Sequence, residues 1–257
     1  MSYLPGATFI AELGMSQEFQ PDRVVGSFEA VPALCAPGTP LARTAVLLTI
    51  ADMAAGSISS AATAPRICLT LDLSVRVLRP PVGLIDVEAR VLKSGRNTTV
   101  AETLFHVDGE LAALSWSTFV ASPRPSDVIE VPPLSFRRYG PSQLRAPLAE
   151  QAGCRIVGPG IAEVDRTPYV MNPAGTVQGG MVALLAELAT ESLPAVAADS
   201  GVVNELDVRY LSATRVGPAR ATAAIVGERT ARVELHDPGN GDRLTAVVLA
   251  RWGVTSS

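Results

Sequence analysis

The sequence predicts an α+β protein of two similar halves, each with one long apolar helix followed by an antiparallel sheet. The first observation is element order: each half has a helical segment and then several strands, without the strand–helix alternation of a parallel doubly wound sheet. The second is spacing. Asp52 and Glu187, the acids within the two helices, lie 135 positions apart, and Arg76 and Arg209, in the strands that follow, lie 133 apart. A near-constant offset of this kind indicates a duplicated unit.

The first half begins with a strand and then an apolar helical segment. The helix is predicted over Ala45–Gly56, where Asp52 is the one charged residue in a run of helix-forming apolar residues. Alternating apolar and polar residues predict strands on both sides of it. Those strands are Val25–Ala33, Thr70–Arg79, Ile85–Lys93, Thr98–Val107 and Leu111–Val120. Together they form a five-stranded sheet that can wrap the helix.

The second half repeats this order. Its helix is predicted to begin at about Gly179, because turn formers and a glycine pair give way there to an apolar helical run that contains Glu187. The predicted strands are Ile161–Val170, Val203–Ser212, Ala219–Val226, Thr230–His236 and Leu244–Val254.

A proline-rich connector separates the halves. Residues 122–141 contain prolines that prevent a continuous helix or a central strand, so this stretch is expected to cross the surface. We therefore divide the chain into a unit at 1–124, a connector at 125–145 and a second unit at 146–257.

Composition excludes several classes of protein. A net charge of −4 argues against a nucleic-acid binder. Cys35, Cys68 and Cys154 lack metal-ligand spacing and are expected to be reduced, in a cytoplasmic protein. The start of the chain lacks signal-peptide features. Asp52 and Glu187 interrupt the two best candidates for a membrane span, so no membrane partner is expected.

The stretch from Asn172 to Glu191 carries the clearest functional signal. The first N–H groups of a helix that begins at Gly179 have no partner inside the helix, and the macrodipole adds partial positive charge there. Gly179 and Gly180 permit a close approach of a ligand to the backbone. Such a tip can hold an anion or a developing oxyanion. Glu187 lies two turns further along, and a buried carboxylate there needs hydrogen bonds or a chemical role.

This stretch resembles a known family. The pattern Asn172-Pro-x-Gly-x-x-Gln178-Gly179-Gly180, followed by an acid at Glu187, is similar to that of hotdog-fold acyl-CoA thioesterases of the PaaI-like and 4-hydroxybenzoyl-CoA type. The likeness covers roughly the last hundred residues. It implies a double hotdog: two antiparallel sheets joined into one, each around a central helix. It also implies thioester hydrolysis without a metal or redox cofactor, and a homo-oligomer of such chains.

Under this resemblance the central helices are paired antiparallel, so each site combines residues of both halves. Glu187 is eight residues from Gly179, roughly 12 Å along the helix at ~1.5 Å per residue, which is too far for it to act at its own helix tip. The first expected site therefore joins Asp52 to Asn172, Gln178 and Gly179. Asp52 is the base or nucleophile, Gly179 N–H stabilises the oxyanion, and Asn172 and Gln178 orient reacting groups.

Two further residues complete the expected substrate site. Gly180 allows the acyl thioester to approach, and Thr70, just beyond the first helix, is a candidate for holding water. Gln178 stands where histidine is usual in the family. It can donate a hydrogen bond but cannot shuttle a proton near neutral pH.

The second site is expected to be degenerate. The offset places Arg43 and Thr44 of the first half opposite Glu187, where the first site has Gln178 and Gly179. Thr44 brings a Cβ where glycine is usual, and an Arg43–Glu187 ion pair can fill the space.

Other interpretations remain open at this stage. A non-catalytic acyl-CoA or fatty-acyl binding protein would keep the pocket without the reaction, and a purely structural module would have neither. The sequence has no G-x-S-x-G elbow, P-loop or dinucleotide fingerprint.

Overall fold

The computed structural model describes residues 8–123, 128, 137–138, 141–172 and 175–254. Most of the predicted connector lies outside these residues.

Two long helices and three short ones are present among the described residues, with 13 strands. The helices are α1 (Phe9–Glu12), α2 (Thr44–Thr63), α3 (Leu148–Gln151), α4 (Gly179–Glu191) and α5 (Pro194–Ala198). The strands are β1 (Ser16–Phe19), β2 (Arg23–Glu29), β3 (Cys68–Val77), β4 (Leu84–Ser94), β5 (Thr98–Val107), β6 (Glu110–Ala121), β7 (Arg137–Arg138), β8 (Arg155–Gly158), β9 (Ile161–Val164), β10 (Gly201–Tyr210), β11 (Ala219–Gly227), β12 (Thr230–Asp237) and β13 (Arg243–Val254).

All strands belong to one antiparallel sheet in the order β7-β1-β2-β4-β5-β6-β3-β10-β13-β12-β11-β9-β8. The halves join where β3 pairs with β10, and this pairing is symmetric. Arg76 lies opposite Glu205, and Arg209 lies opposite Asp72. Ion pairs of 3.7 Å and 3.1 Å join these partners. The 133-residue offset predicted from the sequence is therefore also the offset of the strand pairing.

Each long helix packs against the inner face of its own half of the sheet. The first half of α2, with Val46, Leu47, Leu48 and Ile50, and the middle of α4 are fully buried and form the centre of one continuous core. By length and hydropathy alone α2 could cross a membrane, but 56% of its most apolar stretch is buried inside the fold. That burial accounts for its apolar character.

The predicted fold is confirmed, with differences at its edges. α4 begins at Gly179 as predicted, whereas α2 continues to Thr63, just before Pro65. The strand predicted over Ile161–Val170 ends at Val164. β1, β7 and β8 extend the sheet at its two edges, where short strands leave little periodicity in the sequence.

Candidate active site

Asp52 lies midway along α2 and is held by residues of both halves. Thr70 Oγ1, at the start of β3, donates to Asp52 Oδ1 at 2.9 Å. Gln178 Nε2, from the other half, lies 3.3 Å from Asp52 Oδ2. Each carboxylate oxygen therefore has one neutral donor, and no cation pairs with Asp52 among the described residues.

Gln178 is also the N-cap of α4. Its Oε1 accepts the Gly180 N–H, while its Nε2 is directed at Asp52. This one amide therefore satisfies a free N–H at the helix tip and fixes the orientation of the carboxylate. Gly180 N–H is consequently not available to a ligand.

Gly179 N–H, by contrast, makes no hydrogen bond to any described residue. Gly179 is partly exposed, so this donor is accessible at the positive end of the helix dipole. Gly179 N–H is therefore the donor at the helix tip that can stabilise a developing negative charge.

The two long helices run antiparallel and cross closely. Gln178 at the start of α4 contacts the middle of α2, and Glu187 in the middle of α4 accepts the Ala45 N–H at the start of α2, at 2.6 Å. A Cβ added to Gly180 would lie 2.1 Å from Thr49 Oγ1, one turn before Asp52. Glycine is therefore required at 180 by the approach of the helices.

The environment of Asp52 makes its carboxyl a weak acid. Burial raises the pKa of Asp52 to about 6, and the hydrogen bond from Thr70 works in the opposite direction. A carboxylate with a pKa near 6 is mostly ionised at neutral pH and is a stronger base than an exposed aspartate.

Tyr210, at the end of β10, is a site residue that the sequence did not single out. Its hydroxyl donates to Gly179 O at 2.9 Å. Burial, together with the nearby Asp52 charge, raises the pKa of Tyr210 well above its ordinary value, so it remains a donor. It supports Gly179, the residue whose own N–H is free, through the carbonyl on the other side of that residue. Its place beside the helix tip depends on how β10 packs against α4 within the second half, which spacing along the chain does not show.

Asn172 closes the turn that leads into α4. Its Oδ1 accepts Thr176 N–H at 3.1 Å, and its backbone N–H donates to Thr176 O. Asn172 makes no hydrogen bond to Asp52 within the described part of the chain. Asn172 therefore holds the turn before α4, and the expected contact between Asn172 and Asp52 is not made within the described residues.

At the second crossing of the two long helices, Arg43 forms ion pairs with two glutamates. Arg43 Nη1 lies 2.9 Å from both Glu187 Oε1 and Glu191 Oε2. The Glu187 and Thr44 side chains are buried, and Thr44 Oγ1 donates to Val203 O. Burial raises the pKa of Glu187, opposed by the Arg43 guanidinium. Burial lowers the pKa of Arg43, but the two carboxylates outweigh it and leave the pKa above its ordinary value.

The length of the acid explains why the two crossings differ. Glutamate has one methylene more than aspartate, and Glu187 reaches the amide at the facing helix start, Ala45 N–H. Asp52 leaves the equivalent amide, Gly180 N–H, to the Gln178 side chain. In the strands that follow the helices, the 133-residue offset places Val203 at the position of Thr70 and Val77 at that of Tyr210. The second crossing therefore lacks both hydroxyls.

Metal ligands were not predicted. Within the described ranges no three His, Cys, Asp or Glu side chains come together in a way that could hold a metal ion. His236 contacts Glu234 and Asp242 near the far ends of β12 and β13.

Comparison with known proteins supports the fold. A profile of the Thioesterase superfamily matches residues 44–113, which run from the start of α2 into β6. The matched stretch is in the first half, whereas the motif read from the sequence lies in the second. A search of curated proteins found no significant match.

Solved structures align over nearly the whole chain. An acyl-ACP thioesterase from Bacteroides thetaiotaomicron has a TM-score of 0.63 at 12% identity, over 90% of this chain and 98% of its own. A 12:0-ACP thioesterase from Umbellularia californica has a TM-score of 0.62 at 14% identity, over 92% and 99%. A hot dog fold protein from Alicyclobacillus acidocaldarius has a TM-score of 0.58 at 14% identity, over 97% and 99%.

These likenesses and the symmetric sheet agree on the architecture. The chain has the double hotdog fold, and its residues 44–113 match the thioesterase superfamily.

Proposed function

We propose that the protein is a thioesterase that hydrolyses an acyl-CoA to a carboxylic acid and CoA at one composite site between its halves. The observation that carries this proposal is the position of Asp52. Its carboxylate is held by Thr70 and Gln178 beside the helix tip whose Gly179 N–H is free. A base next to an unpaired, dipole-supported donor is the pair of groups that thioester hydrolysis needs.

The reaction follows from this arrangement. The thioester carbonyl oxygen accepts the Gly179 N–H, which stabilises the oxyanion by a term often worth ~3 kcal/mol. Asp52 takes a proton from water as the water oxygen bonds to the carbonyl carbon, and the tetrahedral intermediate then expels the sulfur. Direct attack by Asp52, with later hydrolysis of the anhydride, gives the same products.

Departure of the sulfur needs little acid assistance. A thiol with a pKa near ~8.5 leaves as the thiolate, so glutamine at 178 is compatible with turnover. Gln178 then serves as a neutral donor that orients Asp52. It is not expected to transfer a proton.

The second crossing is proposed to be structural. Arg43 neutralises Glu187, and Glu187 itself occupies the helix-start amide, so neither a free base nor a free donor remains there. Burial of Thr44 closes this end to a substrate.

A second candidate is a binding protein for acyl-CoA or a fatty acyl group without catalysis. Gln178 favours it, because glutamine replaces the histidine that is usual at this position in the family that the sequence resembles. Such a protein would retain affinity for the thioester and release no thiol.

The test is thiol release from a panel of acyl-CoAs, read together with ligand-induced thermal stabilisation. Cleavage supports the thioesterase, and stabilisation without cleavage supports the binding protein. Acyl groups on acyl carrier protein form a second arm, because two of the similar structures are ACP thioesterases. Cleavage of carrier-protein substrates alone would overturn the assignment of CoA as the carrier.

A further inference from the structure

Five buried hydroxyl groups gather on the inner side of the first half and are unused by the mechanism. They belong to Ser59, Thr99, Thr103, Ser115 and Ser117. Each side chain is at most 1% exposed, and none of the five hydroxyl oxygens has a hydrogen-bond partner among the described residues. Buried polar groups are nearly always paired, so a concentration of unpaired ones indicates a missing partner.

The hydroxyls lie next to the proposed site. Thr103 of β5 pairs directly with Ser115 of β6. Ser117 is two residues, about 7 Å, from Phe119 along the same face of β6. Phe119 in turn pairs with Thr70, which donates to Asp52. Phe119 therefore separates Ser117, in the cluster, from the hydrogen bond between Thr70 and Asp52.

The second half shows that the fold does not require these hydroxyls. Ser115 pairs with Val75, and the equivalent pair in the second half is Val248 with Val208. Val233 faces Val248 just as Thr103 faces Ser115. At these two positions the first half has hydroxyl side chains and the second half has valines.

The second half of α2 contains Ser59 and lies against the Phe119 end of the cluster, where Gly56 faces the Phe119 ring. α4 ends at Glu191, which corresponds to Gly56, whereas α2 continues to Thr63. In this extension Ile58 is the one large apolar residue, and the others are small: Ser57, Ser59, Ser60, Ala61, Ala62 and Thr63. Few apolar contacts hold this segment down, so its displacement costs less than that of the first half of α2.

We propose that the acyl group of the substrate enters between the second half of α2 and the sheet, and that it carries a hydroxyl or keto oxygen within its chain. The inference rests on the proposed thioesterase function. Serine and threonine hydroxyls both donate and accept, so they match either oxygen group. A saturated chain at this place would leave the hydroxyls unpaired, which selects against it.

The experiment compares octanoyl-CoA with octanoyl-CoAs that bear a hydroxyl or keto group at successive carbons. The variant is Thr103→Val/Ser115→Ala, which removes both hydroxyls from fully buried positions without adding volume. In the wild type kcat/KM is highest for one of the oxygenated substrates. In the variant the ratio of kcat/KM, oxygenated over saturated, falls about tenfold or more, as expected for two lost hydrogen bonds.

A control variant, Thr222→Val, makes the same exchange at an exposed position on the outer side of the sheet and leaves this ratio in place. Circular dichroism and thermal melting verify the fold of each variant. Ser117→Ala, which copies Ala250, gives a smaller fall in the ratio and serves if the double variant does not fold. A ratio unchanged within about twofold, or a wild type that prefers the saturated chain, overturns the proposal.

Failure of the proposed function has a different signature. If the wild type cleaves none of these thioesters, thermal stabilisation by the corresponding free acids replaces the rate. Stabilisation by an oxygenated acid, lost in the double variant, then still supports the inference. Absence of that stabilisation, or its survival in the double variant, overturns it.

Discussion

Gln178 Nε2 lies 3.3 Å from Asp52 Oδ2, although 126 residues separate the two in the chain. Where the helices cross a second time, Arg43 Nη1 lies 2.9 Å from Glu187 Oε1 across 144 residues. The same helix pair thus holds one acid with a neutral donor and the other with a cation. Burial raises the pKa of both acids, but only Asp52 remains without a cation, whereas the charge of Glu187 is paired with Arg43.

The first prediction concerns the pH dependence of catalysis. Because Asp52 acts in its ionised form with a pKa of about 6, kcat/KM is expected to fall below pH 6. Gln178→Glu places a second carboxylate beside Asp52, which should move the midpoint upward by about 1 pH unit. A pH–rate profile checks both. A profile that stays flat between about pH 5 and 7 would contradict the role of Asp52 as the base.

The second prediction concerns stability. The pKa of Asp52 in the folded protein is raised above its ordinary value, so the fold is more stable with this carboxyl protonated than with it ionised. This stabilisation is complete below about pH 4 and is lost as the pH rises through about 6. Asp52→Asn should therefore raise the free energy of unfolding at pH 7 by about 1 kcal/mol, after allowance for partial exposure. This gain should vanish near pH 4. Urea unfolding at both pH values checks it, and an equal gain at both would show another cause.

The third prediction tests the helix crossing. In Gly180→Ala the added Cβ would lie 2.1 Å from Thr49 Oγ1 and 2.7 Å from Thr49 Cγ2. The expected loss of stability is about 1–3 kcal/mol, with a loss of activity because the helix tip shifts. Thr49→Ala removes the two closest atoms and leaves Gln178 Oε1 at 2.8 Å, at the end of a flexible side chain, so the double variant should recover much of the stability. Additive losses in the double variant would mean that the two residues do not meet.

The fourth prediction concerns the buried ion pair. Arg43→Met leaves Glu187 buried without its cation and should cost about 3–5 kcal/mol. Adding Glu187→Leu should restore much of this loss, because the uncompensated charge is gone. Arg76→Met is the matched control, since that exposed pair of 3.7 Å with Glu205 should be worth less than about 1 kcal/mol. Chemical denaturation of the variants measures each value.

The sequence predicted the architecture because its signals were local and repeated. The helix start at Gly179, ten of the 13 strands and the 133-residue offset could all be read from periodicity and spacing. The edge strands β1, β7 and β8 were missed, because they span two to four residues and leave no clear alternation.

The composition of the site was harder to predict. The offset placed Arg43 opposite Glu187, and these two residues are in contact in the structure. Spacing gave no indication that Gln178 caps its own helix or that Tyr210 supports Gly179, because both depend on side-chain direction at the crossing. The unpaired hydroxyls of β5 and β6 alternate like ordinary strand residues in the sequence. Their significance emerges only against the valines of the second half.

The most direct test of a single competent site compares Asp52→Asn with Glu187→Gln in thiol release from an acyl-CoA that the wild type cleaves. Asp52→Asn is expected to lower kcat by about 10³-fold or more in a folded protein, since the base is lost. Glu187→Gln, measured at a temperature where the variant is folded, is expected to retain kcat within about tenfold. Equal losses in the two variants, or full activity in Asp52→Asn, would contradict a single competent site.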